Sequence, residues 1–207
     1  MNAKFIVIEG LDGSGKSTQI RLLAEALRGM GRSVAETAEP TPTAIGGLVR
    51  DALAGYPVRS PEEIAALFMA DRVAHNTDPV RGIGKMLSDG KDVICDRYYY
   101  SSLAYQGSVT DPEWVARINL DCPAIRKPDL CIFLDLDYAA CCRRMERDRS
   151  FREIYETEDM LNAVRKRYFN AFDLLRDRDN IVIIDAGRTV EEVASDILSA
   201  VKALVEE

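Results

Sequence analysis

The residues best suited to chemistry lie near the start of the chain, in Gly10-Leu11-Asp12-Gly13-Ser14-Gly15-Lys16-Ser17, a glycine-rich run closed by a lysine and a hydroxyl. Glycines let consecutive backbone N–H groups point into one concavity, and the positive end of a following helix adds to the pull, so such a turn holds a polyphosphate by dipoles. Lys16 supplies a mobile cation able to bridge the β- and γ-phosphates and follow the charge as a phosphoryl group migrates, while the Ser17 hydroxyl completes a magnesium shell. The pattern has the P-loop spacing, with Thr18 directly after it, and predicts a nucleoside triphosphate with Mg²⁺. Alone, it leaves a kinase, an ATPase and a GTPase switch all open.

A second constellation, Asp96-Arg97-Tyr98 followed by Ser101, Ala104, Tyr105 and Gln106, stands at the end of an expected strand. A carboxylate at the C-terminal end of a strand in an open α/β sheet faces the ligand crevice, where Asp96 can hold Mg²⁺ through water and Arg97 can face an acceptor. The plainer alternative is a local ion pair. The NKxD motif that reads guanine in Ras-type GTPases is absent from the sequence, so that class drops away. Charge is densest where Arg143, Arg144, Arg147, Arg149 and Arg152 crowd together, as a solvated helix face would or as a source of positive charge for a transferring phosphoryl group.

These residues need a scaffold, and the 207-residue chain has the length of one domain. With 27 Lys and Arg against 34 Asp and Glu the net charge is −7, which argues against a broad grip on nucleic acid or anionic lipid and leaves a local phosphate pocket. An apolar share of 47% beside 29% charged residues suits a compact core, not disorder. Apolar runs such as Phe5 to Ile8 and Ile181 to Ile184 are too short to span a bilayer or form a signal-peptide core, so a cytoplasmic location is expected. Cys95, Cys122, Cys131, Cys141 and Cys142 lack CxxC spacing and read as reduced core thiols. His75, the single histidine, reads as a helix-surface or pocket-wall residue.

Short β-branched runs at Phe5 to Ile8, Val93 to Cys95, Leu130 to Leu134 and Ile181 to Ile184 read as buried parallel strands, with a weaker one at Ser33 to Thr37. Between them, spacings such as Ile20, Leu23, Ala24 and Leu27, or Val190, Val193, Ala194, Ile197 and Val201, are helical. Alternation of this kind predicts a single-domain α/β fold in three layers, a parallel five-stranded sheet with helices on both faces. The breaks at Pro40-Thr41-Pro42, Tyr56-Pro57, Asp111-Pro112 and Lys127-Pro128 separate elements and are too short to be domain linkers.

The segment ICDRYYYSSLAYQG, Ile94 to Gly107, closely resembles the thymidylate kinase signature; IEGLDGSGKST, Ile8 to Thr18, looks like the opening of that family, and Leu67 to Arg72 is similar to its F-x-A-x-R helix. The resemblance spans 1–207 as a single domain, with the P-loop at 10–18 and a LID at about 143–156. It implies phosphoryl transfer from ATP to dTMP, giving dTDP for dTTP synthesis, with Mg²⁺. It further implies that Phe68 stacks on thymine, Arg72 bonds the base carbonyl or the acceptor phosphate, and Arg97 grips that phosphate. Gln106 would read the base or sugar, Tyr105 would crowd the 2′ position, Asp12 would accept from the 3′-hydroxyl, and Glu39 and Ser101 would lie on the substrate side.

With glycine at position 13, the family pattern draws its catalytic arginine from the LID, here Arg147, Arg149 or Arg152, with Arg144 near the adenine. Members are commonly homodimers, and helices around Phe68 and Leu103 could serve that contact. Two departures stand out: Ala38-Glu39-Pro40 lacks the arginine that often precedes Glu-Pro, and Ile154-Tyr155-Glu156 replaces the frequent R-[YIF]-E of the LID, with Arg152 in a shifted position. The chemistry is coherent without a general base, because a nucleoside monophosphate, with a second pKa of about 6, is already anionic near neutrality. The competing readings are a kinase of another pyrimidine nucleotide or of a deoxynucleoside, and a non-catalytic nucleotide-sensing module.

Overall fold

The computed structural model describes residues 2–137, 139–141 and 158–205. The expected LID at about 143–156, with Arg143, Arg144, Arg147, Arg149 and Arg152, and also Cys142, lies outside the described residues. In chain order the elements are β1 (Phe5–Gly10), α1 (Lys16–Gly29), β2 (Ser33–Ala38), α2 (Ala44–Leu53), α3 (Pro61–Thr77), α4 (Ile83–Ser88) and β3 (Lys91–Asp96). There follow α5 (Tyr99–Tyr105), a 3-10 turn (Gln106–Ser108), α6 (Pro112–Leu120), β4 (Leu130–Asp135), α7 (Glu158–Leu175), β5 (Ile181–Asp185) and α8 (Val190–Val205).

All five strands are parallel, in the order β2-β3-β1-β4-β5. Every residue of the central β1 is buried, since strands flank it on both sides and helices cover both faces. The register sets Ile8 beside Asp96 and Gly10 beside Leu134, so the ends of β1, β3 and β4 finish at one edge. That edge is where the phosphate loop and the Asp96-Arg97 pair meet. The two sheet edges depart from fully buried strands: Ile183 of β5 is 46% exposed, and no residue of β2 is fully buried.

Local signals explain the helix starts. Ser60 and Glu63 form a reciprocal capping box with Pro61 opening α3, and Asp111 accepts from the N–H groups of Glu113 and Trp114 with Pro112 opening α6. The helical spacing seen in α1 buries Ile20, Leu23, Ala24 and Leu27, and that of α8 buries Val193, Ile197 and Val201 while Val190 stays out at the first turn. Cys95 and Cys131 are buried free thiols, Cys141 is buried and Cys122 is half-buried.

Behind Arg97, the three tyrosines Tyr98, Tyr99 and Tyr100 are wholly buried. Tyr99 Oη and Tyr100 Oη both donate to Asp179 Oδ2, at 2.5 and 2.8 Å, which ties the start of α5 to the turn before β5. Ring contacts continue through Phe172, Phe133 and Tyr168, so α5 and α7 are clamped against the sheet. Removing one donor should cost little and removing the shared acceptor much more. In urea unfolding Tyr100→Phe is expected to lose about 1 kcal/mol and Asp179→Ala about 3 kcal/mol, because the second strands two buried hydroxyls. Equal losses in the two variants would show that Asp179 is no anchor.

Candidate active site

The loop between β1 and α1 turns sharply at the sheet edge. Gly10 has φ +152°, and a Cβ there would meet Ser14 Oγ at 2.6 Å and Leu134 O at 2.9 Å. Gly15, at φ 98°, is left-handed and caps α1 without a side-chain acceptor, so the first N–H groups of the helix face the loop's concavity. Ser17 and Thr18 are exposed on the first turn.

Lys16 is buried and folds over its own loop, with Nζ donating to Gly10 O at 3.1 Å, Leu11 O at 3.2 Å and Asp12 Oδ1 at 3.3 Å. Burial, and then the Arg97 charge nearby, lower the Lys16 pKa against the opposing pull of Asp96, Asp12 and Glu9.

Arg97 reaches the same carboxylate from the other side. Its Nη2 donates to Asp12 Oδ1 at 2.6 Å, its Nη1 donates to Ser101 Oγ at 3.1 Å and Tyr168 Oη at 3.3 Å, and its guanidinium lies 5.6 Å from the Tyr105 ring centre. Its backbone is left-handed, at φ 65°, an arrangement costing about 1–3 kcal/mol in a non-glycine residue. The N–H of Arg97 donates to Ile8 O at 3.0 Å, which holds that turn to β1. Burial would raise the Asp12 pKa, but Arg97 and Lys16 beside it hold the carboxyl well below the usual range.

Glu9 is the functional-site residue that motif reading passed over. It is 0% exposed, one residue before the loop, and its carboxylate accepts from Tyr98 N (2.7 Å), Ser101 N (3.2 Å), Ser101 Oγ (2.7 Å) and Tyr168 Oη (2.9 Å). The available signal was an acid at the end of the apolar run Phe5 to Ile8, where a buried charge demands partners. Tyr168 comes from α7, 71 residues beyond Arg97, and no local pattern announces it. Arg50, from α2, is a further cation at this rim: its Nη1 donates to Thr41 O at 2.6 Å and Pro40 O at 3.3 Å, near the position where Ala38 replaces the family's arginine.

Asp96, at the end of β3, has a buried Oδ1 with no hydrogen-bond partner among the described residues. An orphaned carboxylate oxygen, with an exposed serine at the N-terminus of α1, suits a hard divalent cation, which takes oxygen ligands and keeps several waters.

On the acceptor side, α3 carries Phe68 half-buried and apart from the core cluster of the described residues, and Arg72 one helical turn further on the same face. Arg72 is only 1% exposed, far from a surface cation. Its Nε and Nη2 meet Glu39 Oε2 at 2.8 and 2.7 Å, its Nη1 donates to Ser102 Oγ at 3.2 Å and to Asn119 Oδ1, and it stacks on Tyr98. Tyr105 is half-buried, and Ser101 and Gln106 are buried along α5 and its end. His75 is not on the helix surface: it is buried, with Nδ1 2.9 Å from Glu39 Oε1 and Nε2 2.7 Å from Thr37 Oγ1. An imidazole is small enough to enter the interior once both nitrogens are hydrogen-bonded, which its position on α3 alone did not reveal.

A glycine loop joining β1 to α1, with a carboxylate ending the neighbouring strand of a parallel sheet, is the arrangement of the P-loop nucleotide-binding fold. The family model for thymidylate kinase matches residues 8–197. The chain is 38% identical over 208 residues to the "Probable thymidylate kinase" of Pyrococcus horikoshii, covering 98% of this chain and 97% of that one. It is 39% identical over 199 residues to the one of Methanococcus aeolicus, covering 94% of each. The chain belongs to the thymidylate kinase family, and so to the nucleotide-binding transferases. Among the described residues no helix is long and apolar enough to cross a membrane.

Burial raises the Glu9 pKa above its ordinary 4.5, although Arg97 and the hydrogen bonds of Ser101, Tyr98 and Tyr168 oppose the rise. The folded protein therefore binds this proton more tightly than the unfolded chain, so the Glu9 contribution is full below about 4.5 and is lost as pH rises toward the folded value. Asp12, with its pKa lowered from 3.8, does the reverse and loses its contribution only as pH falls below that value. Urea midpoints measured from pH 4.5 to 7 should decline more in the wild type than in Glu9→Gln. Parallel profiles would mean that Glu9 does not titrate against folding.

Proposed function

We propose that the chain transfers the γ-phosphoryl group of ATP to dTMP, yielding ADP and dTDP on the route to dTTP, with Mg²⁺, as a cytoplasmic homodimer. The observation that carries this reading is the shared Asp12 carboxylate, which couples the cation of the triphosphate loop, Lys16, to the cation of the acceptor side, Arg97. A transferase needs positive charge fixed on both sides of the migrating group, whereas a nucleotide sensor has no use for the second cation. Free buried thiols suit a reducing compartment, and exposed Leu48, Leu53, Tyr56 and Val58 on and after α2 offer an apolar face to a second copy.

The backbone N–H groups of 10–18 receive the β- and γ-phosphates, and Lys16 exchanges its carbonyl partners for phosphate oxygens. Arg97 turns its guanidinium to the dTMP phosphate, freeing Asp12 to accept from the 3′-hydroxyl. Phe68 stacks on thymine above Arg72, Tyr105 stands against the 2′ carbon, and Ser101 and Gln106 complete that wall. Asp96 and Ser17 would hold the magnesium ion, which when bound offsets charge between the β- and γ-phosphates. The resemblance would draw the charge on the equatorial oxygens from Arg147, Arg149 or Arg152 and would assign Arg144 to the adenine, all outside the described residues. The acceptor phosphate is already ionised, so no side chain has to take its proton.

ADP release measured with dTMP, dUMP, UMP and thymidine should be fastest with dTMP. Strong turnover of thymidine with none of dTMP would instead make this a nucleoside kinase, and ATP binding with no turnover of any acceptor would make it a sensor. Lys16→Met should lower kcat by about 10²–10³-fold. Tyr105→Ala should relax discrimination against ribonucleotides, and unchanged selectivity would place the 2′ wall elsewhere.

A further inference from the structure

Resting on the dTMP kinase reading, we infer that Glu39 and His75 do not touch the nucleotide and act as positioning residues, a buried clamp that sets the plane of the Arg72 guanidinium one helical turn beyond Phe68. Both oxygens of Glu39 are already engaged. Oε2 takes Nε and Nη2 of Arg72, and Oε1 lies 2.9 Å from His75 Nδ1. Glu39, Arg72 and His75 are each nearly inaccessible to solvent, so a substrate or metal contact by Glu39 would have to break one of these bonds within the interior.

The geometry of the clamp follows from its donors. A carboxylate gripped at one oxygen only can rotate about its last bond and carry the arginine with it. His75 holds the second oxygen, and His75 is itself fixed at its other end, with Nε2 2.7 Å from Thr37 Oγ1 on β2. With Nδ1–H donating to the carboxylate and Nε2 accepting from the threonine hydroxyl, the imidazole bridges α3 to β2 with every polar atom satisfied. The neighbouring joint is tied independently, since Asp71 of α3 accepts from Thr41 N at 2.8 Å and Thr41 Oγ1 at 2.5 Å. Loss of His75 therefore leaves α3 docked and loosens the aim of Arg72. Arg72 Nη1, which also donates to Ser102 and Asn119, is the end of the clamp turned toward α5 and α6.

A clamp on a binding residue changes acceptor affinity and leaves the transfer step alone. In steady-state kinetics His75→Ala should raise KM for dTMP by about tenfold, with kcat and KM for ATP each within about twofold of wild type. His75→Asn, whose amide can donate in place of Nδ1–H, should recover most of the loss. Thr37→Val, which removes only the far support, should raise KM for dTMP by about threefold and serves as the test if His75→Ala does not fold. Glu39→Gln should follow His75→Ala. The clamp is overturned if KM for dTMP is unchanged in both His75→Ala and Thr37→Val, if both substrates weaken together, or if Glu39→Gln lowers kcat with KM unchanged, the mark of a direct contact in the transfer step. A wild-type enzyme that ignores dTMP would sink the kinase reading itself, a result separable from all of these.

Discussion

The carboxylate of Asp12 lies between Lys16 and Arg97, 3.3 Å from one nitrogen and 2.6 Å from the other, and the rest of the site is built to keep those three charges in register. Two anions are to meet there, and their repulsion is overcome only where positive charge is held in place beforehand. Lys16 is placed by a glycine turn that no side chain could enter at Gly10, and Arg97 by a left-handed backbone tethered to Ile8. Both devices belong to the edge where three parallel strands end side by side.

Glu9 acts beneath this triad as its interior counterweight. A buried carboxylate is tolerated because Ser101, Tyr98 and Tyr168 donate to it, and those same donors fix α5 and α7 around Arg97. The tyrosines behind Arg97 carry that rigidity on to Asp179 at the far side of the sheet. Arg72 on α3 is held in the same way, paired to Glu39, with Glu39 paired to His75. Lys16 and Arg97 thus share the Asp12 carboxylate while Arg72 is paired with Glu39, so the charges keep their aim in a low-dielectric setting.

Much of this was legible in the chain. Five apolar runs became five parallel strands, since β-branched segments separated by helical spacings have few other ways to bury themselves. The glycine run declared its loop because its geometry is local. Ile183 was misleading, as four apolar residues in a row do not reveal whether the strand lies at the centre or the edge of a sheet. His75 was harder still, for a polar residue on a helix reads as surface or pocket wall unless its partners are known, and here they are Thr37 of β2 and Glu39 just after it.

The amino-acid sequence by itself determined the layered α/β class, the phosphate loop, the Asp96-Arg97 pair and the resemblance that led to the family, because each depends on residues within a few positions of one another. The tertiary structure alone decided that Asp12 serves two cations, that Glu9 and Tyr168 stand beneath Arg97, and that Glu39 is spoken for by Arg72 and His75. Apart from Asp12–Lys16, four positions apart, those pairings join residues from 33 to 159 positions apart. Only the folded sheet brings them within hydrogen-bonding distance, and a buried charge finds its partner by proximity in space, which chain order does not encode.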